Sequence, residues 1–323
     1  MMKGADLNHA FMNNLAVRLG RKQFGHRLNV QSRHYARRSS LALDQATGQV
    51  KNYKHQVIRK FLKLTGLLPL VEQHCLDYRV ETVEVVIDNL PSKFDGFRIL
   101  HLSDLHLDFM QDGGESMLNT LKGLEYDLCV FTGDYRVNTS DNPQTLAHGL
   151  QQLMPLIDAP YGVYGVLGNH DNCEMVSELE QWGIHVLLNE SVAIERDGQS
   201  MTLAGVDDPH YFKTDNLKKA LHGTRREQTT LLLAHSPEIV EQAAAEQVDY
   251  YLCGHTHGGQ LCLPGGIPVI SNVRCSRKYI RGYWRHQQLQ GYTSRGTGTS
   301  GVQARLFCPP EVTIHTLKTH SDI

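Results

Sequence analysis

Short apolar runs, each stopped by a cluster of glycine, aspartate, asparagine or histidine, recur along this chain. The clearest are residues 97–102, 128–131, 162–167, 230–234 and 249–253. Runs of this length bounded by turn formers predict buried strands. Between them, residues 115–124, 144–153, 174–182, 215–221 and 237–247 carry helical character, the last with proline in its first turn. Residues 80–89 alternate, with Val83, Val85 and Ile87 on one face, and predict an antiparallel-type strand. Further strands are predicted at 184–188, 192–195 and 201–206, and beyond Pro264 at 267–270, 289–294, 302–307 and 312–317. Strands alternating with helices and then running on as strands predict a layered α/β body.

Ahead of that body the pattern changes. Residues 1–50 mix basic and apolar positions without clear turns, and Phe11, Leu15, Val17 and Leu19 offer a partial helix face. Val57, Ile58, Phe61, Leu62 and Leu64 form a second amphipathic stretch, broken at Gly66 and Pro69, that packs on the body or dips into a bilayer interface. Residues 1–77 hold 13 Lys and Arg against 4 Asp and Glu, a net +9, and the remainder 19 against 30, a net −11. The expected division is therefore a basic arm, 1–77, partly helical or disordered, and an acidic body, 78–323. An anionic membrane surface is the partner such an arm suits. Nucleic acid is disfavoured, because the arm lacks regularly placed aromatics for stacking.

Seven cysteines without a Cys-x-x-Cys pair point to a reducing compartment. No apolar run approaches the roughly 18 residues of a membrane span, and no apolar stretch follows the first basic residues as in a signal peptide. The expected location is cytoplasmic, with peripheral contact to the inner face of the membrane.

The chemistry gathers where the strands stop. Five apolar runs end at Asp104 and His106, at Asp134, at Asn169 and His170, at His235, and at His255 and His257. Ligands of open α/β sheets sit beyond the carboxyl ends of strands, so neighbouring strands would bring these groups to one pocket. Carboxylate, amide carbonyl and imidazole donors suit Mn, Fe, Zn or Ni ions. Seven donors exceed what one ion takes from a protein, whereas two ions about 3.5–4 Å apart sharing a carboxylate would use them all.

In order and type, Asp104-x-His106, Gly133-Asp134, Gly168-Asn169-His170-Asp171, His235 and Gly254-His255-x-His257 resemble the calcineurin-like metallophosphoesterases over about residues 80–317. The Ser103-Asp104-Leu105-His106 opening, the Gly-His-Thr-His-Gly-Gly-Gln at 254–260 and Ser294-Arg295-Gly296 are similar to a bacterial membrane-associated subgroup. That subgroup includes enzymes acting on UDP-2,3-diacylglucosamine. The resemblance implies a four-layer αββα sandwich of two mixed sheets flanked by helices. It implies a first metal on Asp104, His106 and His257, a second on Asn169, His235 and His255, and Asp134 bridging both. A metal-bridging hydroxide would then attack phosphorus in a phosphodiester or pyrophosphate, on a lipid-linked or nucleotide substrate. A phosphomonoesterase on the same site is the alternative, and a non-catalytic scaffold the more distant one. By the same resemblance His170 stabilises the phosphoryl group or protonates the leaving oxygen. Asp171 accepts from the His170 ring or caps the loop.

Gly133-Asp134 continues as Tyr135-Arg136-Val137-Asn138 instead of the Asp-Arg-Gly of protein phosphatases, which argues against a phosphoprotein substrate. Arg274, Arg277, Lys278, Arg281 and Arg285, interleaved with Tyr279, Tyr283 and Trp284, form either a phosphate-gripping stretch or an ordinary charged β surface. His101 and His185 read as packed strand histidines, Cys173 as filler, and 205–209 as a pocket rim.

Overall fold

The computed structural model describes residues 4–39, 53–137, 143–225, 227–269 and 273–320. Residues 40–52 of the expected arm, Asn138 and Ile270 lie outside that set. Four helices come first: α1 (Gly4–Leu19), α2 (Arg21–Ser39), α3 (Tyr53–Leu64) and α4 (Leu68–Gln73). The body runs β1 (Arg79–Val86), β2 (Arg98–Leu102), α5 (Glu115–Leu121), β3 (Leu128–Phe131), α6 (Pro143–Leu153), β4 (Val163–Gly165), α7 (Met175–Gln181) and β5 (His185–Val186). It continues as β6 (Glu190–Arg196), β7 (Gln199–Gly205), α8 (Leu217–Ala220), β8 (Thr230–Leu233), α9 (Val240–Ala245) and β9 (Tyr250–Cys253). A small ribbon, β10 (Cys262–Leu263) with β11 (Ile267–Pro268), precedes β12 (Gly282–His286), β13 (Leu289–Thr293) and β14 (Glu311–Lys318).

Two six-stranded mixed sheets result, in the orders β1-β14-β2-β3-β4-β5 and β12-β13-β9-β8-β7-β6. Strands β2 to β5 are parallel, as are β7, β8, β9 and β13. Of these, β3, β8 and β9 are buried along their whole length, which is why they read as continuous apolar runs and not as alternation. Ile99, Leu128 and Val130 of one sheet meet Leu203, Leu231, Leu233 and Leu252 of the other in the central layer. Outside the first sheet, Leu121, Leu150 and Leu179 of the helices pack on Leu100, Cys129 and Phe131. Outside the second, Leu217, Val240 and Ala243 pack on Leu232, Tyr251 and Cys253. The architecture is the four-layer helix–sheet–sheet–helix sandwich.

Three expectations change. Strand β1 pairs in parallel with β14 instead of antiparallel. Its alternation comes from lying at a sheet edge with one face half-open, not from pairing direction. Residues 302–307 form no strand beyond a single bridge between Leu261 and Leu306. The arm, too, is no solvated appendage in its described part. Leu15 and Leu19 of α1 are buried in the same cluster as Leu100 and Leu188, while Val17 points out. Arg27 of α2 is completely buried, 2.5 Å from Asp207. The 77/78 boundary separates charge composition; it does not separate cores.

His101 and His315 also lie in the core, within a chain of polar contacts. Tyr250 Oη meets His315 Nδ1 at 2.8 Å, His315 Nε2 meets His101 Nδ1 at 3.3 Å, and His101 Nε2 meets Thr132 Oγ1 at 2.8 Å. Burial pushes His101 down to about 3 and holds His315 well below the usual imidazole value, so both stay neutral. An imidazole with a depressed folded-state pKa stabilises the fold above about pH 6.5, and that stability is lost as pH falls toward the folded value. Denaturant unfolding between pH 7 and 4 should therefore show stability falling by up to about 1.4 kcal/mol per pH unit for each of these groups. The slope should flatten in His101→Gln/His315→Gln. An unchanged slope would assign acid lability elsewhere.

Candidate metal centre

Each candidate donor stands past the carboxyl end of a strand: Asp104 and His106 after β2, Asp134 after β3, Asn169 (with His170 beside it) after β4, His235 after β8, His255 and His257 after β9. Contacts across the two sheets join these ends. The His255 amide donates to the Asp104 carboxylate at 2.9 Å, and His235 Nδ1 donates to the Thr132 carbonyl at 2.7 Å. The second bond fixes the His235 tautomer when the ring is neutral and leaves Nε2 as the ligating nitrogen.

Two donor groups form. Asp104, His106 and His257 offer atoms within 4.8 Å of one another, and so do Asp134, His235 and His255. Asn169 Oδ1 joins the second group, 2.9 Å from His235 Nε2. Asp134 Oδ2 lies 3.2 Å from His235 Nε2 and 3.9 Å from His106 Nε2, between the groups.

Close approach of backbones makes this convergence fit. A methyl on Gly254 would sit 1.8 Å from Ser103 Oγ and 2.3 Å from Asp104 Oδ2; one on Gly133 would sit 2.6 Å from the Gly168 nitrogen. Five of the seven donors hold left-handed backbone: Asp104 (φ 52°), His106 (46°), Asp134 (57°), His255 (70°) and His257 (49°). Such conformations cost on the order of 1–3 kcal/mol each in non-glycine residues and gather at functional sites.

The electrostatics favour a cation. Burial pushes Asp104 up to about 6, with Asp134 adding to the rise and His235 opposing it. Burial would also raise Asp134, but His235 and His170 hold it well below the usual range. Burial disfavours charge on His235, yet Asp134 lifts it well above the ordinary imidazole value. His106 is pushed down to about 3 by burial, and His257 is lowered by burial and by His106. Two facing neutral nitrogens, His106 Nε2 and His257 Nε2 at 3.3 Å, beside buried carboxylates make a donor set that suits divalent transition metals.

Of the two roles expected for Asp171, the structure shows the loop cap and not a bond to the His170 ring. His170 Nδ1 bonds the Val137 carbonyl at 2.8 Å, and its backbone amide donates to Asp134 Oδ1 at 2.8 Å. The Asp171 carboxylate accepts instead from the amides of Asp134 (2.8 Å), Tyr135 (3.1 Å) and Gly168 (2.8 Å). Asp171 ties two loops together; the carbonyl of Val137 orients the His170 ring. Cys173 is buried beside Gln31, and His185 is exposed on β5. In the basic stretch, Tyr279 and Trp284 are buried in the outer core, while Arg277, Arg281 and Arg285 bond Pro268, Gly265 and Tyr283. That is a packed β edge.

His210 was not anticipated. Its ring centroid lies 4.1 Å from that of His255, and Nδ1 meets Glu238 Oε1 at 2.7 Å. The signal was available, because residues 205–210 end β7 with Asp-Asp-Pro-His, in the manner of the other strand ends.

Residues 97–259 match the calcineurin-like phosphoesterase family. The chain is 31% identical to the uncharacterized metallophosphoesterase YkoQ of Bacillus subtilis over 74% of its length and 90% of that protein. It is likewise 31% identical to YkuE of the same organism, over 79% of this chain and 90% of the relative. A zebrafish (Danio rerio) protein described as a transmembrane protein with metallophosphoesterase domain is 28% identical over 74% of the chain and 57% of its own length. The chain belongs to the calcineurin-like metallophosphoesterases and is a metal-dependent phosphoester hydrolase.

Metal-stripped protein titrated with Mn²⁺ should bind two ions per chain by equilibrium dialysis. Gly254→Ala, folded by circular dichroism, should bind at least about tenfold more weakly, because the methyl displaces Asp104. Wild-type affinity in that variant would detach the glycine from the site.

Proposed function

We propose that Asp104, His106 and His257 hold one transition metal ion, that Asn169, His235 and His255 hold a second, and that Asp134 bridges them. The position of Asp134 Oδ2 between the two donor groups carries this reading. Bound metals would supply Lewis acidity toward a phosphoryl oxygen and an activated water. The chain's own residues set the geometry. Asp134 has one oxygen occupied by the His170 amide, which aims the other at the centre. His170, held at Nδ1 by Val137 and packed edge-on 5.3 Å from His106, presents Nε2 to a phosphoryl or leaving oxygen.

The substrate we favour is a phosphodiester or pyrophosphate in a lipid-linked molecule, of the kind handled by UDP-2,3-diacylglucosamine hydrolases. Helix α3 supports the lipid part. Tyr53, Val57, Phe61 and Leu64 share one face and are 80%, 65%, 61% and 88% exposed. The opposite face packs Leu62 and Ile58 on Val302 and Ala304. Arg59, Lys60 and Lys63 are exposed beside the apolar stripe, and the helix holds no acidic residue. An exposed apolar stripe with basic flanks suits the surface of an anionic bilayer. No helix among the described residues is long and apolar enough to cross a membrane. This assigns membrane contact to α3, whereas α1 spends Leu15 and Leu19 on the body.

With Mn²⁺ loaded, an aryl phosphodiester should be hydrolysed faster than the matching monoester. Asp134→Asn should abolish turnover, and His170→Ala should reduce kcat about 10²–10⁴-fold. Preference for the monoester would overturn the diester assignment, and full activity in Asp134→Asn would overturn the bridged site. Co-sedimentation with phosphatidylglycerol vesicles should exceed that with phosphatidylcholine and fall at least about tenfold in Phe61→Glu/Leu64→Glu. Equal binding by that variant would remove α3 from the interface.

A further inference from the structure

Among the described residues of the amino-terminal hairpin Arg27 is the most deeply buried cation, and its guanidinium joins two loops of the site. Nη1 meets Asp207 Oδ1 at 2.5 Å, and Nη2 donates to the carbonyl of Asp171 at 2.6 Å. Its plane lies over the Phe212 ring, 4.0 Å from the centroid. Asp207 also accepts from Thr214 Oγ1, so both carboxylate oxygens are engaged. The neighbouring residue Gln31 bonds Glu174 Oε2 at 2.7 Å and the Cys173 amide at 3.4 Å, extending the same seam along α2.

One loop leads directly to candidate donors, the other to a histidine packed against one. Through its carboxylate, Asp171 holds the amides of Asp134, Tyr135 and Gly168, which set the turns carrying Asp134 and Asn169. Through its own carboxylate, Asp208 holds the amides of His210 (3.0 Å), Tyr211 (2.7 Å) and Phe212 (2.7 Å), which places His210 against His255. The planar fork of arginine can bond a carboxylate and a carbonyl at once, which a lysine cannot do in the same geometry.

We infer that Arg27 is a positioning residue for the metal centre, coupling the α1–α2 hairpin to the turns that carry Asp134, Asn169 and His210. The hairpin is thus part of the site's construction, and removing its guanidinium loosens donors that it never touches. This rests on the two-metal reading for its effect on metal affinity, but not for its effect on the turns themselves.

The test uses the full chain with Arg27→Met and Arg27→Lys, each read in two ways. Hydrogen exchange on metal-free protein should accelerate at least about tenfold at the amides of Asp134, Tyr135 and Gly168 in Arg27→Met. Amides inside β2 and β8 should keep their wild-type rates. Mn²⁺ affinity, measured by titration well below the unfolding temperature, should fall about 10–100-fold, as for other groups that orient metal ligands. Arg27→Lys should fall between, because it retains the charge beside Asp207 and loses the bond to Asp171. If Arg27→Met does not fold, Arg27→Lys decides on the same two readouts. Folded variants with lower thermal stability but wild-type exchange at those amides and wild-type Mn²⁺ affinity would overturn the inference and leave Arg27 a packing residue. Failure of the wild-type protein to bind Mn²⁺ would sink the metal reading, while the exchange pattern would still judge the clamp.

Discussion

The structure depends on holding carboxylates and imidazoles together out of water. Asp104, Asp134, His106 and His235 are essentially fully buried at the carboxyl ends of strands from two facing sheets. Burying a charge is costly unless an opposite charge or a metal meets it. That cost explains the opposite shifts of Asp104 and Asp134 and the pull of Asp134 on a proton at His235. Glycines at 133, 168 and 254, and left-handed backbone at five candidate donors, let the turns approach closely enough to gather these groups in one place.

The same residue type meets two fates within five positions of the chain, at His101 and His106. His101 and His315 are buried between hydroxyl partners, without a carboxylate at hydrogen-bond distance, and serve as neutral core groups. His106, one turn of backbone beyond β2, faces Asp134 and His257. What separates a packed histidine from a metal donor is the chemistry facing its ring, not burial.

Charge is organised differently from its distribution along the chain. A basic arm and an acidic body suggest two separate units, yet Arg18 and Arg27 spend their charge on body groups: Arg18 on Glu180 and Glu190, Arg27 on Asp207. With both ends of such a pair desolvated, loss of either partner at Arg27–Asp207 strands a buried charge at a cost of about 3–5 kcal/mol. Lys60 and Lys63 of α3, by contrast, stay in solvent next to an apolar stripe, and Arg59 reaches only the surface carboxylate of Glu72, at 3.7 Å.

The strand ends and the residue types they carry are legible along the chain. Buried parallel strands leave unbroken apolar runs, and each run stops where ligand-type residues begin, so the candidate donors from Asp104 to His257 stand out by position alone. The layered α/β body was legible for the same reason. Which sheet each strand joins was not, because pairing direction leaves little trace at an edge; β1 alternates although it runs parallel to β14. Nor could the choice between the two roles offered for Asp171 be made, since it depends on which backbone amides and carbonyls arrive from 134–137. Arg27 looked like one cation among thirteen in the arm. Only the tertiary structure buries it against Asp207 and the carbonyl of Asp171, because a long-range ion pair has no periodicity to announce it.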